Sequence, residues 1–168
     1  MSTGTAISLA QYLSSTYEPD CDYVDGEIEE RNVGERTHAR LQARITAYLL
    51  AQYEKAGIEV FTEIRMRVSP SRFRIPDVCA TIGDPGEEVL TRPPLLCIEI
   101  LSPEDRMSRL EVRIQDYLQM GVPYVWLLDP FTKQAYVATA AEGLREVKDG
   151  VLRTENPTIE MPLAGLWG

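Results

Sequence analysis

Asp77, in "FRIPDVCATI", and Glu99, in "PLLCIEIL", are acids that stand inside strand-like apolar runs. A lone charge flanked by Leu95, Leu96, Ile98, Ile100 and Leu101 is costly unless it finds a partner, a proton or an ion. Period-two alternation sets Asp77 on a face with Ile75 and Cys79, and Glu99 on a face with Leu95, Cys97 and Leu101. If the two strands are neighbours the carboxylates meet, and converging carboxylates repel unless they share a proton or a cation. A hard, oxygen-seeking ion such as Mg²⁺ or Mn²⁺ suits the pair, with the backbone carbonyl of Ile100 as a further ligand. The competing arrangement pairs Glu99 with an arginine from the first core strand or the second core helix. Pro76 removes a ladder donor beside Asp77 and favours a bend that aims its carboxylate out of regular pairing.

Those acids need elements to carry them. Residues 7 to 14 suit a short helix, and "DYVDGEIEER" places Asp25-Gly26 between two strand-like arms, a hairpin signal. From Glu35 to Ala56, Leu41, Ile45, Tyr48, Leu49 and Tyr53 recur at helical spacing until Gly57 stops the run. "IEVFTEIRMRV" alternates as one half-buried strand, with Ile58, Val60, Thr62, Ile64, Met66 and Val68 on a common face. "FRIPDVCATI" and "PLLCIEIL" supply the second and third strands. Ser102-Pro103-Glu104-Asp105 has the residue types of a helix start, and Leu110, Ile114, Tyr117 and Leu118 form the stripe of the helix that follows. "PYVWLLDP" is a fourth, buried strand, and the remainder reads as strands joined by Glu142-Gly143 and Asp149-Gly150 turns. The order in the middle of the chain is helix, three strands, helix, strand, an α/β (α+β) arrangement in a single domain over 1–168. An amino-terminal helix and hairpin (1–33) precede the core (35–130), and carboxy-terminal strands (131–168) follow it.

The totals narrow the class. A composition of 44% hydrophobic and 26% charged residues is globular, and the 168 residues are long enough to bury a core. No run reaches the ~18 apolar residues that cross a bilayer, and "MSTGTAISLAQYL" lacks the basic start of a secretion signal, so the cytoplasm is expected. Cys21, Cys79 and Cys97 form no CxxC pair and fit reduced thiols, and a single histidine argues against a Cys/His zinc site. The net charge of −9 opposes polyanion binding. Fourteen of the 17 basic residues are nonetheless arginines, and they cluster. One cluster, Arg65, Arg67, Arg72 and Arg74, has no acid within it and is the expected nucleic-acid contact, since the guanidinium fork matches phosphate. Solvated faces are the other reading of such clusters. Trp126 in the fourth strand and the "MPLAGLW" tail suit a homodimer.

"RIPDV", then "CIEILSPEDR", then "YLQMGVPYVWLLDP" resemble the Uma-type endonuclease family, a branch of the PD-(D/E)XK restriction-endonuclease-like superfamily. The resemblance runs over nearly the whole chain, from "VDGEIEE" to the closing tail. It implies a restriction-endonuclease-like core whose second and third strands carry metal-binding acids, here Asp77 and Glu99. It also implies a Mg²⁺- or Mn²⁺-dependent nuclease acting on nucleic acid, DNA being the expected polymer. His38 falls where the family often has a histidine, and would orient water or substrate. The superfamily lysine belongs two positions after Glu99, where this chain has Leu101. Family members can supply the lysine from the next helix, four residues before the tyrosine, and that position is Arg113, which can stabilise charge on phosphate but is a poor proton-transfer group. Glu63 is a further acid, read either as a third ligand or as half of a surface ion pair. The alternatives to an enzyme are a catalytically silent member that binds DNA or protein, and a structural oligomeric domain.

Overall fold

The computed structural model describes residues 6–32 and 34–168. Residues 1–5, which open the stretch read for a secretion signal, and residue 33 lie outside the described residues.

Helix α1 (Leu9–Leu13) is fixed by a capping box between Ser8 and Gln11. Strands β1 (Cys21–Val24) and β2 (Glu27–Glu30) pair as the expected hairpin, with Asp25 and Gly26 both at positive φ, 51° and 95°. Helix α2 (Arg36–Tyr53) buries Leu41, Ile45 and Leu49 and ends in a 3₁₀ turn (Glu54–Ala56). Strands β3 (Ile58–Thr62), β4 (Met66–Ser69), β5 (Arg72–Arg74), β6 (Val78–Ile82) and β7 (Leu96–Ile100) lead to α3 (Met107–Met120). Then come β8 (Tyr124–Asp129), β9 (Gln134–Thr139), β10 (Gly143–Glu146), β11 (Val151–Thr154) and β12 (Ile159–Pro162).

The main sheet runs β10-β9-β8-β7-β6-β3, with β7 and β8 parallel and the other neighbours antiparallel. Period-two alternation gives it two apolar faces. Val78, Ala80, Leu96, Ile98 and Trp126 pack on α2 and on the two-stranded β11-β12 sheet, whose Leu152, Ile159 and Met161 share that core. Cys79, Cys97, Val125 and Leu127 pack on Leu110, Ile114 and Tyr117 of α3. A small sheet, β2-β1-β5-β4, carries an aromatic cluster of Tyr12, Tyr23 and Phe73. All three cysteines are free and buried. Among the described residues no helix is long and apolar enough to cross a membrane. The core order of helix, three strands, helix and strand is the restriction-endonuclease-like architecture expected from the chain.

Three local readings change. The long alternating strand is broken at Glu63, which adopts φ 53°, so its two halves enter different sheets: β3 the main one, β4 the small one. The next strand is likewise divided, β5 pairing with β1 and β4 before Ile75, Pro76 and Asp77 pass the chain to β6. The helix expected at Ser102 begins at Met107, because the Asp105 carboxylate accepts the Ser102 N–H at 2.7 Å and closes a turn instead.

Candidate active site

Asp77 sits one residue before β6, and Glu99 is the penultimate residue of β7. The β6–β7 register pairs Val78 with Ile98 and Cys79 with Cys97, so the next step along it would set Asp77 against Glu99. Pro76 has no N–H, and ladder pairing stops there; Asp77 instead turns its side chain onto the sheet edge, where Oδ2 accepts the Ile100 N–H at 2.7 Å. Its own carbonyl accepts from Gln42 Nε2 of α2 at 2.8 Å, which pins the backbone from the other side. Both acids are buried, 3% and 2% exposed.

Arg31, just past β2, donates from Nη2 to Asp77 Oδ1 at 2.8 Å. His38, in the first turns of α2, places Nε2 3.2 Å from Asp77 Oδ2. Burial raises the Asp77 carboxyl, but the His38 contact and the Arg31 charge outweigh it and hold it below its ordinary value. Burial likewise lowers the His38 imidazole, and Asp77 more than offsets this and raises it above its ordinary value. Among the described residues, His38 Nδ1 is buried without a hydrogen-bond partner.

Glu99 accepts the Tyr117 hydroxyl on Oε1 at 2.6 Å and Arg113 Nη1 on Oε2 at 3.3 Å. Burial pushes its carboxyl up to about 7 despite Arg113, with Asp77 adding to the rise. Arg113 is shared: its Nε lies 3.6 Å from Asp22 Oδ2, too long for a hydrogen bond. Asp22, raised by burial against the pull of Arg113 and Arg74, also caps the Ile75 N–H at 3.1 Å. The arginine from the second core helix thus pairs with Glu99, the competing arrangement noted for that acid.

The other residues singled out in the sequence are dispersed. Arg74 is 1% exposed and bonded to Asp22, Glu29 and Asp116, which leaves it no face for phosphate. Arg72 joins Asp25 to Asp116. Arg65 lies 4.6 Å over the Tyr12 ring and Arg67 5.9 Å over the Phe73 ring. These arginines weld the small sheet together. Glu63 is exposed beside Asp77 and His38, on a wall shared with Gln42. Leu101 is half-buried against the α3-side core and carries no cation to the site. Arg31 and Asp22 were missed as site residues, although an acid inside "CDYV" is the same sequence signal that marked Glu99.

The acids open into a cleft of about 50 Å³, whose mouth includes exposed Arg106 and Arg109. Two carboxylates and a carbonyl are hard oxygen donors, so the donor chemistry fits a divalent cation. Each carboxylate oxygen already accepts from the protein, and an ion would have to displace a guanidinium group. Among the described residues no group of three or more His, Cys, Asp or Glu side chains is placed to hold a metal.

The Uma2 family, described as "Putative restriction endonuclease", matches residues 9–168. The crystal structure of a "putative nuclease belonging to DUF820" from Anabaena variabilis ATCC 29413 superposes with a TM-score of 0.81 at 20% identity, covering 96% of this chain and 97% of that one. That likeness is one of fold. A cryo-EM structure of a DrdV–DNA complex aligns with 80% of this chain and 11% of its own at 20% identity, with a TM-score of 0.45 that is too low to bear on fold or function. No curated protein matches. With nearly its whole length matched and the architecture shared, the chain belongs to the Uma2 family of restriction-endonuclease-like proteins.

Proposed function

We propose that the protein is a metal-dependent endonuclease that hydrolyses nucleic-acid phosphodiester bonds, with DNA as its polymer, at the cleft between Asp77 and Glu99. One observation carries the reading: two buried acids at the meeting ends of the adjacent strands β6 and β7, in a chain of the Uma2 family. Asp77, Glu99 and the Ile100 carbonyl would hold one Mg²⁺ or Mn²⁺. Such an ion, when bound, polarises a phosphate oxygen and lowers the pKa of a coordinated water.

The chain's own residues do the rest. Tyr117 fixes the orientation of Glu99, and Gln42 with the Ile100 N–H fixes Asp77. His38 beside Asp77 orients water or substrate, and Arg113 supplies positive charge next to Glu99. The polymer lies across the mouth of the cleft and presents a phosphate inward, past Arg106 and Arg109. The same reading takes a homodimer as the acting form, which lets a duplex meet two sites, and the cytoplasm as its place.

The test is nicking of a supercoiled plasmid with Mg²⁺, Mn²⁺ or EDTA, comparing the parent with Asp77→Asn and Glu99→Gln. Cleavage that needs the ion and disappears in both variants supports the reading; cleavage unchanged in either variant removes it. A second reading, a catalytically silent nucleic-acid-binding member, is favoured by the guanidinium groups on both acids and by Leu101 where the superfamily has lysine. It is the answer if the parent binds DNA, retains it with Mg²⁺ or Mn²⁺, and cleaves none.

A further inference from the structure

Two guanidinium groups and an imidazole approach the two acids: Arg31, Arg113 and His38. They are not equivalent. Arg113 stands between two buried acids, Glu99 Oε2 at 3.3 Å and Asp22 Oδ2 at 3.6 Å, and is held by both. Among the described residues Arg31 makes one side-chain hydrogen bond, to Asp77 Oδ1, and Asp77 keeps His38 and the Ile100 N–H if that bond is lost. Arg31 also lines the main cleft and the depression on the other side of His38, so its guanidinium has space on two sides. Its segment is tied to the far wall of the cleft by Asn32 Nδ2, which donates to Asp105 Oδ1 at 3.1 Å. The hairpin end therefore bridges the acids and the loop before α3.

We infer that Arg31 is the phosphate-contacting cation of this site: a guanidinium that rests on Asp77 in the free protein and turns to the substrate phosphate when a divalent cation takes its place on that carboxylate. The inference rests on the metal-dependent reading above and adds a residue that reading does not use. Charge balance supplies the driving force. Asp77 cannot keep the Arg31 guanidinium beside an added divalent charge without repulsion, and Arg31, whose ion pair among the described residues is with Asp77, is held less firmly than Arg113, which lies 3.3 and 3.6 Å from two acids. Its planar fork then meets an anion of matching geometry in the cleft. An amino-terminal hairpin thereby supplies the positive group that Leu101 cannot.

Two measurements, one without any chemistry, test this. Mn²⁺ is titrated calorimetrically into the parent, Arg31→Gln, Arg31→Lys and Asp77→Asn without DNA, and single-turnover cleavage of a labelled duplex is followed at matched Mn²⁺ occupancy. Arg31→Gln keeps an N–H donor for Asp77 Oδ1 and so guards against simple misfolding. It should bind Mn²⁺ at least threefold more tightly, because a competing charge is gone, while cleaving at least tenfold more slowly. Arg31→Lys should recover part of the rate. Unchanged Mn²⁺ affinity in Arg31→Gln, or cleavage equal to that of the parent, overturns the inference while Asp77→Asn still reports on the metal reading. A parent that binds no Mn²⁺ overturns both.

Discussion

Glu99 is the residue at which burial and charge are least balanced. Its native pKa of about 7 lies above the ordinary value of 4.5, so the folded chain holds this proton more tightly than the unfolded chain does. The contribution to stability is complete below about 4.5 and is lost as pH rises through about 7. His38, also raised, acts in the same direction, so the comparison that isolates Glu99 is with Glu99→Gln. In EDTA, the Tm of Glu99→Gln should gain on the parent steadily between pH 5 and pH 8; a constant difference across that window would remove the account. Arg113 carries a second prediction. The resemblance assigned it a role in catalysis alone, but its position between Glu99 and Asp22 gives it a share in the fold as well. Arg113→Ala should cost about 3–5 kcal/mol in urea unfolding, because two buried acids lose their common cation. Arg113→Lys should recover only part, since an ammonium does not span both acids as a fork does.

At the scale of elements, the small sheet does a different job from the one its arginines suggested. The run Arg65, Arg67, Arg72 and Arg74 was expected to face phosphate as a group, and two of its members are instead locked in acid pairs. Arg74 joins β1, β2, β5 and α3 through Asp22, Glu29 and Asp116, and so fixes the hairpin whose end carries Arg31 to the cleft. Arg74→Ala should therefore lower stability by about 3–5 kcal/mol, and Arg74→Met by less, since an apolar replacement fills the volume. Arg67→Ala, at an exposed site, should fall within about 1 kcal/mol of the parent by urea titration. Equal effects of Arg67→Ala and Arg74→Ala would contradict this division between the two arginines.

Across the whole molecule, a net charge of −9 sets the terms for any nucleic-acid partner. Binding has to be local, carried by cations at the cleft mouth, and sensitive to salt because the rest of the surface repels phosphate. Arg106 and Arg109 are exposed there and are the pair to change. The double substitution Arg106→Ala and Arg109→Ala should weaken duplex binding alike for all sequences. It should also flatten the log–log salt dependence by roughly 0.9 for each phosphate no longer neutralised, measured by fluorescence anisotropy. Tight binding with an unchanged salt slope would place the interface elsewhere.

Helices, strands and most of their ends were legible in the chain because periodicity and turn chemistry are local. The α2 and α3 stripes, the Asp25-Gly26 hairpin and the alternation that points Glu99 and Cys97 to one face needed no knowledge of the fold. The breaks at Glu63 and Pro76 were not legible as changes of sheet, since alternation looks the same on either side of a turn whose partners lie elsewhere. The acids themselves were legible, as charges in apolar strands have few tenable surroundings. Their companions were not. Arg31 reaches Asp77 across 46 residues and Arg74 reaches Asp22 across 52, and nothing in either local pattern distinguishes an arginine bound to a buried acid from one bound to water. Sequence alone determined which residues would need a counter-charge; the packing of the hairpin, the small sheet and α3 around the β6–β7 edge decided which cations supply it, because ion pairing depends on distance through space and not along the chain.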